Sequence, residues 1–390
     1  MQHNTKIDTI MSRIKSHLSI ALCILTLAMM SCGKPAGRTL TSATGSVYEC
    51  LVVMNDQSLT QSQLDTIATL SLTNEASGYT NPIATSFDLV EAVMGADMPC
   101  MPQVEPYFRL THVPVNQFDD MLKPTRNILF VDINPQRYTQ VKAKVSTNYW
   151  SKPQAICRIQ AASTDEFVTY WLKNGEQIRD WFVNQEITRQ TTFYRANTNK
   201  DARSILHAQG YDMLIPEDYI VLMDTTLEGA TTYSLRRPIA LDEDVRLLWC
   251  CNNKGSMRRD IVVYSYPYTD AQTFTLAYLN NKRDAVLSRV IKGSVEGAYM
   301  GTEYKVIPPE MRNIMVQDSA RAYEVRGLWK ILNGEAMGGP YVSHTRLDHV
   351  NGRIVTTEVF LYAAGQKKRT ALRQAEAILY TLTLPEDSIN

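Results

Sequence analysis

The chain has 390 residues, 44% of them hydrophobic, with 40 Lys+Arg balancing 40 Asp+Glu. That length suits one large folded unit or two small ones, and the apolar share is ordinary for a packed core. Zero net charge argues against a dedicated nucleic-acid binder, so no nucleic acid is expected among the partners.

The N-terminus has three zones. Arg13 and Lys15 are positive, residues 18–30 form an almost unbroken apolar run, and Ser31-Cys32 opens the polar stretch Gly33-Lys34-Pro35-Ala36-Gly37-Arg38. This order marks an export signal, and the run is shorter than the ~20 residues of a spanning helix. A cysteine after a small residue resembles a lipobox, in which the thiol receives a diacylglycerol before cleavage. Met29 stands where that pattern usually has Leu. The expectation is a lipoprotein signal peptide over 1–31, lipid attachment at Cys32 and a flexible tether over 32–46. Met11 is an alternative start that brings Arg13 and Lys15 to the front. Two acyl chains anchor stably where one does not, so the membrane is an expected partner through the lipid. Gly33 in place of Asp resembles the sorting pattern of outer-membrane lipoproteins that face the periplasm.

Residues 47–54 read as a strand, and Thr60-Gln61-Ser62-Gln63 as a capping box opening a helix. Residues 78–106 carry Pro82, Gly95, Pro99, Pro102 and Pro106 and read as a long loop with a short helix at 87–94. Strands are expected at 107–112 and 127–133, with a helix at 116–122 between them. Ser163-Thr164-Asp165-Glu166 is a second capping box. Phe167, Tyr170, Trp171, Ile178, Trp181 and Phe182 follow at helical spacing and form a core-facing stripe. Residues 219–223, 245–251 and 261–266 are strand-like, 271–291 helical, and Gly293, Gly297 and Gly301 mark a mobile loop.

The C-terminal quarter alternates clearly. Residues 322–332, 341–350 and 353–362 read as an antiparallel meander, followed by a helix at 366–381. Asn351-Gly352 is a strong two-residue hairpin signal, which would set His344 opposite Val359 and Arg346 opposite Thr357. The expected class is α+β: an antiparallel meander sheet with packed helices and a C-terminal helix closing the domain. Residues 47–384 are expected to form a single unit, or two halves at 47–210 and 211–384.

Five cysteines follow Cys32: Cys50, Cys100, Cys157, Cys250 and Cys251. They read as small buried side chains with room for one bridge, and the adjacent pair would face opposite sides of a strand. No Gly-x-Ser-x-Gly, His-Glu-x-x-His, Ser-x-x-Lys or phosphate loop occurs in the mature chain. No catalytic residue, metal or cofactor is therefore expected. His344, Arg346 and Asp348 lie on one strand face and form the single candidate ligand site, against the plainer reading of a solvated sheet face. Lys367-Lys368-Arg369 opposes the dipole of the last helix and reads as a basic surface.

Four segments are distinctive as a set: Tyr264-Ser265-Tyr266-Pro267-Tyr268-Thr269-Asp270, Arg326-Gly327-Leu328-Trp329-Lys330, Met337-Gly338-Gly339-Pro340-Tyr341-Val342-Ser343, and the tail from Lys367 through Tyr380. Together they resemble a family of Gram-negative envelope lipoproteins known as domain of unknown function 4837, over residues 47–384. The resemblance implies a lipoprotein signal, a single α+β unit and no assigned activity. The expected role is a non-enzymatic binding or scaffolding module whose partner is an envelope protein or glycan. The alternative is an envelope hydrolase with a site near the meander.

Overall fold

The computed structural model describes residues 39–70, 83–225, 231–232, 241–242, 244–316 and 320–388. The expected signal peptide and Cys32 lie outside these residues. Residues 42–390 cluster as one unit, built on two large sheets and the helices that pack against them.

The first sheet is one the sequence reading did not anticipate. Its strands are β1 (Glu49–Val53), β2 (Arg109–Val113), β3 (Asn127–Ile133), β4 (Lys142–Thr147) and β5 (Ala155–Ala161), in the order β2-β1-β3-β5-β4. The first four in that order run parallel, and β4 pairs antiparallel with β5. Central strands of a parallel sheet are buried on both faces and read as continuous apolar runs. Cys50, Val52, Leu129, Val131, Cys157 and Ile159 enter the main core. Leu51, Val53, Ile128 and Ile156 point the other way, beneath Phe118, Phe130 and Trp150.

Two helices form the crossover from β1 to β2. α1 (Gln61–Leu70) starts with the expected reciprocal cap between Thr60 and Gln63. α2 (Ser86–Met94) starts with a second such cap, between Thr85 and Asp88. The helix expected at 116–122 is only the 3-10 turn Val115–Gln117. α3 (Thr164–Ala196) follows its Ser163 cap for 33 residues, about 50 Å at 1.5 Å per residue. Its Phe167, Trp171, Ile178 and Phe182 are buried as expected, and the Trp171 indole donates to the Leu89 carbonyl at 3.0 Å. A short α4 (Lys200–Ala208) leads to the second sheet.

That sheet has nine strands. β6 (Ile220–Asp224), β7 (Arg246–Asn252), β8 (Arg258–Pro267), β9 (Tyr299–Glu303), β10 (Glu310–Val316), β11 (Ala320–Leu332), β12 (Gly338–Asp348) and β13 (Arg353–Tyr362) join the short strand Thr231–Thr232. The order is β9-β11-β12-β13-β8-β7-β6, with β10 beside the first half of β11. α5 (Leu276–Val290) covers one face through Leu279, Val286, Leu287 and Val290. α6 (Arg369–Leu379) covers the other and separates it from α3. The protein is therefore mixed α+β, with the meander and the closing C-terminal helix in place.

The segment around Gly301 is strand β9, not a mobile loop; a Cβ at Gly301 would lie 2.6 Å from Leu332 Cδ1, so glycine admits the neighbouring side chain. The hairpin register is shifted by two residues, with His344 opposite Thr357 and Asp348 opposite Arg353. The Asp348 carboxylate causes this. It accepts from the Asn351 backbone at 3.0 Å, the Asn351 amide at 2.8 Å and the Arg353 Nε at 2.7 Å, ending the ladder two residues early and leaving a four-residue loop. A slip of two preserves which face each side chain occupies.

Candidate functional site

His344, Arg346 and Asp348 do share one face, but it is packed rather than solvated. All three are buried, and each has its own partner. His344 Nε2 lies 3.3 Å from Glu324 and its ring meets Tyr380 edge-on. Arg346 holds Asp387 through two bonds of 2.8 and 2.6 Å and the Leu382 carbonyl at 3.2 Å. Asp348 closes the hairpin. The geometry ties strand β12 to the chain's last turns and brings no common ligand position between the three.

The basic stretch before α6 is likewise not a surface. Lys368, Arg369 and Arg373 are buried, while Lys367 is exposed. Glu105, itself buried, accepts the backbone N–H groups of Lys368 at 2.6 Å and Arg369 at 3.0 Å. This carboxylate from the proline-rich loop satisfies orphan donors and favours the positive helix end. Arg373 pairs with Glu376, Glu376 with Arg326, and Arg326 with Glu324, which also holds Arg312. Burial opposes ionisation of Glu324; Arg326, the His344 hydrogen bond and Arg312 overcome it and hold its carboxyl well below the usual range. On the opposite sheet face Arg283 grips Glu358 at 2.7 Å and stacks on the Tyr341 ring at 3.9 Å. These charges act as internal ties.

The five cysteines are all free and buried. Burial raises the Cys157 thiol to about 12 and the Cys100 thiol to about 11, so both are protonated and poor nucleophiles near neutrality. Among the described residues no group of three or more His, Cys, Asp or Glu could hold a metal ion. Nor is any helix there long and apolar enough to cross a membrane.

The meander does offer a cleft, at the sheet end where β11 and β13 finish and β12 begins. Its volume is about 310 Å³, at the small end of the ~300–1,000 Å³ usual for ligand pockets. Leu328, Trp329, Gly338, Gly339, Tyr362 and Ala364 line it, with Pro102 and Val306 contributed by loops. Trp329 stands opposite Gly339, and its indole donates to the Leu361 carbonyl at 3.0 Å. A Cβ on Gly339 would fall 2.0 Å from that same carbonyl oxygen, so glycine is required for the indole to reach across. The charged wall residues are Glu303, Lys330 and Lys368. Lys330 binds Glu303 at 2.7 Å. That bond, followed by the backbone N–H of Lys305, lowers the Glu303 carboxyl to about 2. The sequence held partial signals for this cleft: Trp329, Gly338 and Gly339 belong to its distinctive segments. Glu303 lies just beyond the glycines read as a loop and carried no signal, and Lys368 sits in the stretch read as basic surface.

Residues 197–381 match the family model described as Domain of unknown function (DUF4837). Residues 85–195 match a second model, Domain of unknown function (DUF8532). The resemblance read from the sequence thus holds for the C-terminal part, and the part before it answers to a different description. No curated protein matches the chain. Among solved structures, the solution structure of cyanobacterial PsbP (CyanoP) from Synechocystis sp. PCC 6803 is similar at 13% identity, covering 45% of this chain and 88% of that one, with a TM-score of 0.27.

Proposed function

We propose that this chain is a lipid-anchored envelope protein, held at Cys32 in a membrane facing the periplasm, that binds a partner without catalysing a reaction. The anchor rests on the sequence alone: a positive start, a short apolar run and a cysteine after a small residue. The binding role rests on the cleft beside Trp329. Its walls are aromatic rings, small side chains and backbone; Glu303 and Lys330 are joined to each other, and the Lys368 ammonium donates to the Gln366 carbonyl at 2.8 Å. A pocket of this size and lining accepts one apolar or aromatic group of a partner, with polar contacts only at its rim.

Filling the pocket tests this. Ala364 is exposed on the cleft wall, so Ala364→Trp should occupy the space at little cost to folding. A photo-crosslinker at Val306 should capture one defined envelope component in intact cells, and Ala364→Trp should abolish that adduct at equal abundance. An adduct that persists in the filled variant removes the cleft as the binding site. For the anchor, Cys32→Ala should lose metabolic fatty-acid label; equal label on the variant refutes attachment there.

A further inference from the structure

We propose that Arg158, with the rings of Tyr149 and Trp150, forms a second binding site that takes a carboxylate-bearing sugar of an acidic glycan. The site lies on the outer face of the parallel sheet, apart from the cleft beside Trp329. Alternation along β5 sends Ile156 and Arg158 to that face. Ile156 is fully buried, while Arg158, two residues on, emerges at the margin of the aromatic cover.

There the guanidinium carbon lies 5.1 Å from the Trp150 ring centre, 5.4 Å from Tyr149 and 5.8 Å from Phe130. Tyr149 and Trp150 stand nearly perpendicular, at 85° and 4.9 Å, making a two-walled corner. Phe118 braces both Trp150 and Phe130, at 5.6 and 5.7 Å. Among the described residues the Arg158 side chain is held by rings, and no hydrogen bond or ion pair engages its donors. A guanidinium stacked in this way keeps a rigid fork of N–H groups. That fork matches the two oxygens of a carboxylate.

The surroundings favour an anion. Lys142 stands on β4 opposite Gln160, the next outward-facing residue of β5 after Arg158. The nearby Asp132 carboxylate accepts the Tyr138 hydroxyl at 2.7 Å and faces Arg137 at 3.9 Å, so its charge is already answered. Tyr149 is 58% exposed and offers a flat wall for the C–H face of a sugar ring while the ring's hydroxyls stay hydrated. One fork in a walled corner suits one ring with one acid; an anionic bilayer is read by clusters of roughly 4–8 cations.

Calorimetry on the full chain in detergent tests the site, with trigalacturonate, neutral maltotriose and phosphatidylglycerol vesicles as probes. Trigalacturonate should bind and maltotriose should not. Arg158→Lys keeps the charge but loses the fork, and should weaken binding by about tenfold or more. Tyr149→Ala should weaken it several-fold with an unchanged melting temperature. Ala364→Trp should leave it intact, so this site and the cleft fail separately. The proposal is overturned if trigalacturonate gives no heat, if maltotriose binds equally, if Arg158→Lys binds like the parent, or if only the vesicles bind.

Discussion

Arg346 shows how a strand position changes character when distant chain arrives. Polar alternation made it look like a ligand fork, yet its two bonds to Asp387 leave both side chains largely buried. Removing one partner of such a pair strands the other charge. Arg346→Ala should therefore lower stability by about 3 kcal/mol in urea unfolding, whereas exposed Lys142→Ala should stay within about 0.5 kcal/mol. Two glycines make a similar contrast. Gly352 has φ +60° with open space around it, so Gly352→Ala should cost only about 1 kcal/mol of backbone strain. Gly339→Ala drives a methyl into the Leu361 carbonyl and should leave little soluble protein on expression. Comparable yields for the two variants would contradict the packing described around Trp329.

At the level of elements, α6 is the piece on which the core depends. Its Ala371, Leu372, Ala375, Ile378 and Leu379 are buried, as its apolar spacing implies, but Arg373 and Glu376 are buried too. The helix lies between the antiparallel sheet and α3, where Tyr194 donates to the Gln374 carbonyl at 2.8 Å. Its start depends on Glu105, more than 260 residues earlier. Glu105→Ala should cost about 1–2 kcal/mol, the scale of a lost cap, seen as a lower thermal midpoint. Lys367→Ala, at an exposed site, should leave the midpoint unchanged.

Across the whole molecule the buried charges make stability depend on acid. Glu186, opposed by burial, is held down by the Arg126 hydrogen bond and the Arg189 charge. Glu324 and Asp387 are depressed as well, Asp387 by the Arg346 bond against burial. A depressed folded value means stability that is complete above the unfolded carboxylate range, about pH 4, and lost as pH falls through the folded value. Burial raises Asp260 and Glu358 instead, so these two favour the folded state as they protonate. The depressed set is the larger, since Asp212 and Asp348 are lowered as well, and it should prevail. The urea midpoint should be level from about pH 7 to 5 and fall steeply below about pH 4. A midpoint that rises there would show that the raised pair dominates.

Local chemistry alone determined a good part of this protein. The capping signals at Thr60 and Ser163, the core stripe of α3, the three meander strands and the apolar face of α6 were legible because 3.6- and 2-residue periods and caps act over a few neighbours. The parallel sheet was not, since its strands pair across long crossovers and β4 and β5 carry Lys142, Lys144 and Arg158 within otherwise strand-like runs. The faces of β12 were readable from sequence, but their exposure was not. Only tertiary structure brought the turns after α6 onto His344 and Arg346, brought Glu105 to the helix end, and set the aromatic rings around Arg158. Burial and partner choice depend on segments hundreds of residues apart, and no local pattern encodes which of them will meet.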